Sequence, residues 1–161
     1  MAAGSAENPG AQSIYSAFSI LARGKPTSHA CGAFRVTTAT LTGTATSPDP
    51  RLAGVATLET RIAVNPKTGY GWAVGALTVR SHGSPRLHAG LVGVVSDQNV
   101  VNGLVTGKVF SPPARLLANV SIVFNENFSF AAVRLGVESG KNSAVAYPGG
   151  RCAGSARGRT T

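Results

Sequence analysis

Apolar and polar residues alternate with a period of two from Gly32 to Gly136, a pattern typical of β-strands with one buried face. Six threonines between residues 37 and 46 add β-branched side chains, which favour extended structure. Clusters of Pro, Gly, Asn and Asp near residues 48, 67, 83, 98, 112 and 126 interrupt the alternation. The pattern therefore predicts seven long strands joined by short turns.

One hairpin gives a specific register. The segments Leu52–Val64 and Tyr70–Ser81 flank Asn65-Pro66-Lys67-Thr68-Gly69, whose residue types suit a short reversing loop. We expect Val64 to pair with Tyr70, which places Ile62 opposite Trp72 and Leu58 on the same apolar face.

The number of strands favours a closed sheet. The segment Ile14–Ala22 fits either a strand or a short helix, and as a strand it would be the eighth. An open sheet of this size would leave two long edges, which closure removes. The bending that closure needs is favoured by glycines at 43, 54, 71, 75, 90, 93, 103 and 107. We predict an all-β, antiparallel, up-and-down meander of seven to eight long strands closed as a small β-barrel, with a two-sheet β-sandwich as the alternative.

Composition divides the chain into three parts. Residues 1–31 read as an N-terminal arm that contains the one strand or short helix, with a loop over residues 23–29. Residues 32–136 form the predicted barrel domain. Residues 137–161 form a flexible basic tail, since Lys141, Arg151, Arg157 and Arg159 outnumber Glu138 there.

Charge and cysteine content bear on partners and compartment. The net charge of +9 favours contact with a polyanion or an anionic membrane surface, and no apolar run is long enough for a membrane-spanning helix. The low share of charged residues is typical of extracellular β-proteins. We expect secretion if a leader was removed, and a cytoplasmic location if Met1 is native. Cys31 and Cys152 bracket the patterned region and are the candidate disulfide, with two separate thiols as the alternative.

Catalytic chemistry is weakly represented. The sequence has no nucleophile elbow, phosphate loop, dinucleotide fingerprint or set of metal ligands, so we predict no cofactor and no metal. An enzyme of isomerase or cyclase type, acting by cavity shape, stays as an alternative. Its polar groups would be Glu59, Arg61, Tyr70 and His88, and some of them would have to converge inside the barrel.

The leading functional hypothesis is a non-catalytic β-barrel that serves as a binding or structural module. Its interior would hold a small apolar ligand lined by Phe34, Leu58, Ile62 and Trp72, or the barrel would assemble with other copies as a homo-oligomer. The third hypothesis is a cationic module that contacts a polyanion non-specifically through its tail.

Overall fold

The computed structural model describes residues 18–97 and 99–136, and this part of the chain is a closed β-barrel. Each strand pairs antiparallel with the next, and β1 also pairs with β8, which confirms the predicted meander and excludes the sandwich. The described residues contain no helix suited to crossing a membrane. The strands are β1 (Phe18–Cys31), β2 (Phe34–Thr46), β3 (Gly54–Val64), β4 (Gly71–Ser81), β5 (Ser84–Asp97), β6 (Val100–Phe110), β7 (Pro113–Phe124) and β8 (Phe130–Leu135).

The strands are strongly tilted because their pairing is offset around the barrel. If each residue is followed to its paired neighbour in the next strand, the path that starts at Ser19 in β1 returns to β1 at His29, ten residues further along the strand. We call this path the cross-barrel line. It passes through Arg134, Ser121, Asn102, Val94, Trp72, Ala63 and Val36. With about 3.3 Å per residue and about 4.8 Å between strands, this offset gives a tilt of about 40° and a radius of about 8 Å. A barrel of that radius is wide enough for side chains to fill.

The interior is a single hydrophobic core to which all eight strands contribute. Its largest fully buried side chains include Leu41, Leu58, Ile62, Leu77 and Ile122. A side chain lining a cavity wide enough for water would retain accessible surface inside that cavity, and these side chains retain almost none. Aliphatic side chains therefore fill the centre of the barrel.

Inward-facing glycines allow adjacent strands to approach closely where the sheet bends. A Cβ built on Gly103 would overlap the carbonyl oxygen of Val92 and lie 2.5 Å from the Cα of Gly93. Gly24, Gly43, Gly71, Gly75 and Gly107 meet the backbone of a neighbouring strand in the same way. Gly90, which the sequence grouped with these glycines, faces outward and has open space at its Cβ position. Its role in closure is therefore not supported by the packing.

The first strand is longer than the sequence predicts. Residues 23–29, expected as a loop, continue β1, and the barrel begins at Phe18 rather than at residue 32. The threonine-rich strand β2 pairs with β1 over its whole length and overrides the turn-like composition. Gly24 donates its N–H to the carbonyl of Ser129 at 2.9 Å, on the side away from β2. Pro26 has no N–H to donate, but its nitrogen lies on that same side of β1, after the pairing with β8 has ended. The proline therefore removes no hydrogen bond between described strands.

The predicted register of the β3–β4 hairpin is wrong by one residue. Val64 pairs with Gly71 rather than Tyr70, because the N–H of Asn65 bonds the carbonyl of Tyr70 at 2.8 Å and closes a four-residue loop. Gly69 occupies the left-handed region there, with φ of 75°, and donates to Asn65 at 2.8 Å. A shift of one residue exchanges the two faces of a strand. Trp72 therefore faces outward, opposite Ala63 instead of Ile62.

The loop between β2 and β3 closes one end of the barrel. Leu52 belongs to the core, and its N–H bonds the carbonyl of Asp49 at 3.0 Å. The Arg51 guanidinium donates its Nε–H to both carboxylate oxygens of Asp49 at 3.0 Å. This hydrogen bond holds the pKa of Asp49 below its usual 3.8. The ion pair thus fixes the loop that places Leu52 in the core.

Candidate functional site

The four residues expected to line a ligand pocket fall into two separate groups. Leu58 and Ile62 lie in the interior core, whereas Phe34 and Trp72 belong to a second cluster outside the barrel. The expectation of one shared lining is wrong, because it depended on the register that placed Trp72 opposite Ile62.

Two inward threonines supply polar groups to the interior. Thr37 and Thr60 are each 3% exposed. The Thr37 hydroxyl lies 2.8 Å from the hydroxyl of Ser28 and shares a hydrogen bond with it. The buried hydroxyl of Thr60 has no partner among the described residues. The rest of the interior core is apolar, mostly aliphatic with Phe18 and Phe124, and it offers little to orient a polar substrate.

The outer cluster, which we call the Trp72 cluster, consists of Val36, Ala63 and Trp72 with Phe34 and Cys31 packed against them. The Phe34 and Trp72 rings meet edge to face, with centroids 4.8 Å apart. Val36 pairs with Ala63 and Ala63 with Trp72, so the cluster crosses three strands. Trp72 is only 4% exposed although it points away from the interior.

The polar residues of the enzyme alternative do not converge. Glu59 and His88 are exposed on the outside of β3 and β5, and Arg61 is half-buried on the same outer surface of β3. Tyr70 lies exposed in the turn before β4. None of the four points into the interior, so the structure lacks the arrangement that this alternative requires. In the described ranges, no three potential metal-ligating side chains lie together.

The outer surface of β4–β7 carries a continuous uncharged patch, which we call the apolar face. Leu117 is 73% exposed, Val92 58% and Leu104 46%. The face comprises the outward residues Val74, Ala76, Gly90, Val92, Leu104, Thr106, Leu117 and Asn119, which are paired neighbours across the four strands. Four strands by two rows cover about 250 Å². Exposed apolar side chains that adjoin one another across several strands form a candidate contact surface, whereas single scattered ones are ordinary.

A row of basic residues borders this face. His88 pairs with Lys108, and Lys108 pairs with Arg115, so three basic side chains stand side by side on exposed positions of β5, β6 and β7. We call them the basic row. Within the described part of the chain, no carboxylate lies within ion-pair distance of Lys108 or Arg115. Like charges on directly paired residues destabilise a sheet because they repel each other. An anionic partner bound to the basic row would reduce this repulsion.

Two predicted features fall outside the described residues. The basic tail, residues 137–161, is not described, and neither is Cys152. Cys31 lies at the end of β1 beside the Trp72 cluster. Pairing of the two cysteines and polyanion contact by the tail both stay predictions.

Comparison with known proteins gives no assignment, since no protein-family model, curated protein or solved structure matches this chain.

The apolar face was missed at the sequence level, although the sequence carries a signal for it. Adjacent apolar residues break the two-residue alternation at Leu91-Val92, Leu104-Val105 and Leu116-Leu117. In each pair one residue fills the core and the other must lie outside. Such doublets in neighbouring strands indicate an apolar outer surface.

Proposed function

We propose that this protein is a non-catalytic β-barrel module that binds an anionic lipid surface through the apolar face and the basic row. The observation that carries the proposal is the adjacency of the two: exposed Leu117 follows Arg115 on the outer surface of β7, and exposed Val92 and Leu104 lie one row beyond it. An anionic bilayer offers both apolar depth and negative headgroups to such a surface.

The size of the apolar face favours lipid over protein. A stable protein interface takes roughly 800 Å² from each partner, about three times the area available here. A second copy would also bring a second net charge of +9 and a second basic row. A polyanion such as nucleic acid would satisfy the basic row but leave the apolar side chains in water. An apolar ligand in the interior is disfavoured because aliphatic side chains fill it.

The expected affinity is modest. Lys108 and Arg115 contribute about 1 kcal/mol each near an anionic surface. Partial burial of three aliphatic side chains contributes roughly 1 kcal/mol each. The sum of about 5 kcal/mol corresponds to an association constant on the order of 10⁴ M⁻¹, so binding would be reversible.

Vesicle co-sedimentation tests this proposal. We expect the protein to pellet with vesicles of mixed phosphatidylcholine and phosphatidylglycerol at low salt, and to stay in solution with pure phosphatidylcholine or at high salt. Val92→Gln should reduce binding, and Val55→Gln is the matched control, because Val55 is equally exposed at 58% on the outside of β3. Lys108→Gln should reduce binding, whereas Lys67→Gln in the β3–β4 loop should not.

Three outcomes would contradict the proposal. The first is an equal effect of Val92→Gln and Val55→Gln on pelleting. The second is retention on heparin without any binding to anionic vesicles, which would assign the basic row to a polyanion. The third is concentration-dependent self-association, strengthened by salt and abolished by Val92→Gln, which would assign the apolar face to a second copy.

A further inference from the structure

Two arginine nitrogens are buried without a hydrogen-bond partner. Three side-chain polar atoms in the described part of the chain share this property, and two of them are Nη1 of Arg51 and Nε of Arg86. A buried donor that is left unpaired costs free energy, most of all when it carries charge. Native structures satisfy nearly all such groups with protein atoms, water or a bound ion. Both nitrogens therefore need an acceptor that the barrel itself does not supply.

Arg86 lies on the inner side of the sheet because of a bulge in β5. Val79 pairs with Leu87, whereas the next residue of β4 pairs with Pro85. Arg86 is therefore the extra residue of the bulged strand. Pro85 is exposed on the outer surface, and the residue after an outward one falls on the inner side. Leu87 also faces inward, into the core, so the bulge places two consecutive residues on the inner side near the end of β5.

Arg51 lies at the same end of the barrel, which we call the Leu52 end because the buried side chain of Leu52 fills it. Gly54 begins β3 so close to β4 that a Cβ there would overlap the carbonyl oxygen of Arg80. Val55 pairs with Arg80, and β5 is the next strand after β4. β3 and β5 are thus two strand spacings apart, about 10 Å on the sheet. This separation is small enough for two long arginine side chains to contact one ligand.

Asp49 holds the Arg51 guanidinium in one orientation. The Nε–H of Arg51 donates to both carboxylate oxygens at 3.0 Å, and Nη2 donates to the same carboxylate. Nη1 lies away from this edge of the planar group, so it stays available to another acceptor. The side chains of Arg51 and Asp49 are only 15% and 10% exposed, which shields the pair from water. An ion pair of this kind fixes a donor before the ligand arrives and so reduces the entropy cost of binding.

The ligand of this site must accept hydrogen bonds and carry negative charge. Arginine has five N–H donors and no acceptor. Asp49 balances the charge of Arg51, but no described carboxylate lies within ion-pair distance of Arg86. A carboxylate has two oxygens in one plane and matches a single guanidinium, whereas a phosphate has oxygens that point in several directions. A phosphate group can therefore accept from both arginines at once.

We propose that the Leu52 end of the barrel binds a phosphate group between Arg51 and Arg86. Nη1 of Arg51 and Nε of Arg86 donate to different phosphate oxygens, and the phosphate balances the charge of Arg86. Exposed Arg80 and His82 lie near the site, in β4 and the β4–β5 turn, and add positive charge around it. The site is separate from the apolar face on the outer surface of β4–β7, so it does not depend on lipid binding.

Calorimetric titration of the full chain with inorganic phosphate, in chloride buffer of constant ionic strength, tests the site. We expect saturable binding of one phosphate per chain and a melting temperature that rises with phosphate concentration. Arg86→Gln should weaken binding by about ten-fold or more, because it removes charged hydrogen bonds. Arg80→Gln is the matched control. It removes one positive charge from the outer surface of the adjacent strand, so it should change the affinity by less than about two-fold.

Melting without phosphate separates a binding role of Arg86 from a structural one. Arg86→Gln should then melt at or above the wild-type temperature, because it removes a buried charged donor that has no partner. Arg86→Lys keeps the charge but loses the planar fork, so it should fold like wild type and bind phosphate more weakly. A large fall in the melting temperature of both variants would overturn the proposal, since it would show that Arg86 has a structural partner.

Glycerol phosphate and acetate, titrated in the same way, identify the ligand class. Tighter binding of glycerol phosphate would assign the site to a phosphate monoester, and tighter binding of inorganic phosphate to the free ion; either result supports the site. The proposal is overturned if acetate binds as tightly as phosphate, or if Arg80→Gln and Arg86→Gln weaken binding equally. It is also overturned if phosphate affects melting no more than chloride does, which would leave the two nitrogens to water.

Discussion

Replacement of Gly103 by alanine should destabilise the barrel strongly, although the change adds one methyl group. Its Cβ would overlap the carbonyl oxygen of Val92 and lie 2.5 Å from the Cα of Gly93. Carbon atoms in contact are normally about 3.5 Å apart, so β5 and β6 must separate by about 1 Å at this pair. The obstacle is backbone, which cannot rotate away as a side chain could.

The magnitude follows from two opposing effects. Overpacking of a core typically costs 1–3 kcal/mol, and the backbone contact places Gly103→Ala at about 3 kcal/mol. The substitution also restricts the unfolded chain, which offsets less than about 1 kcal/mol of this cost. For a chain of this length, a net loss of about 2–3 kcal/mol lowers the melting temperature by roughly 5–10 °C.

Gly90→Ala is the matched control. Gly90 lies in β5, the strand paired with the β6 strand of Gly103, but it faces outward and nothing lies within 4 Å of its Cβ position. The added methyl group causes no clash, so its only effect is to reduce the conformational entropy of the unfolded chain. The variant should therefore be more stable than wild type by about 0.5 kcal/mol.

Thermal and urea unfolding, followed by circular dichroism, measure both variants. The urea midpoint should fall for Gly103→Ala and rise slightly for Gly90→Ala, with the same dependence on urea concentration. The reasoning is refuted if Gly103→Ala melts at the wild-type temperature, or if the two variants lose stability equally.

Four further substitutions test other parts of the structure. Leu52→Ala should lower the free energy of unfolding by about 2–5 kcal/mol in urea titrations. The substitution leaves a cavity at the end of the core where the loop between β2 and β3 places Leu52. Thr60→Val should leave stability unchanged or raise it by about 1 kcal/mol, because it removes a buried hydroxyl that has no partner among the described residues. Thr37→Val should lower it by about 1 kcal/mol because it breaks a partly buried hydrogen bond to Ser28, and equal effects of the two on the urea midpoint would contradict this. The lowered pKa of Asp49 means that its pairing with Arg51 stabilises the protein above about pH 4 and that this contribution is lost as the pH falls below that value. Asp49→Asn should therefore reduce the urea midpoint at pH 6 and differ less from wild type at pH 3; a constant difference across this range would argue against the ion pair.

The strand pattern was readable from the sequence because most strands bury one face and alternate clearly. The turns near 48, 67, 83, 98, 112 and 126 all separate strands in the structure. The β3–β4 register could not be read in the same way, since one residue more or less in the loop changes every pair, and Asn65-Pro66-Lys67-Thr68-Gly69 permits either. Because the predicted register was wrong, Trp72 was expected to face the interior with Ile62, whereas it faces outward.

The first strand shows a different limit. Gly24, Pro26 and Ser28 carry turn-like chemistry, and only pairing with β2 shows that they are extended. Tertiary contacts of this kind outweigh local preference, and they are invisible in a single sequence. The basic row was equally hidden, because His88, Lys108 and Arg115 are more than twenty residues apart at the extremes and become neighbours only through the register of three strands.

The position of Pro26 has a consequence for how the barrel behaves at high concentration. After Arg23, no described strand pairs with the edge of β1 that faces away from β2. The free main-chain groups on this edge can pair with a strand from another molecule. Proline withholds a donor on that same side, and the neighbouring Lys25 adds a charge that an incoming chain would have to accommodate. Pro26→Ala would leave the monomer folded, but it would add an N–H donor to this edge and so favour the addition of strands that leads to fibrils.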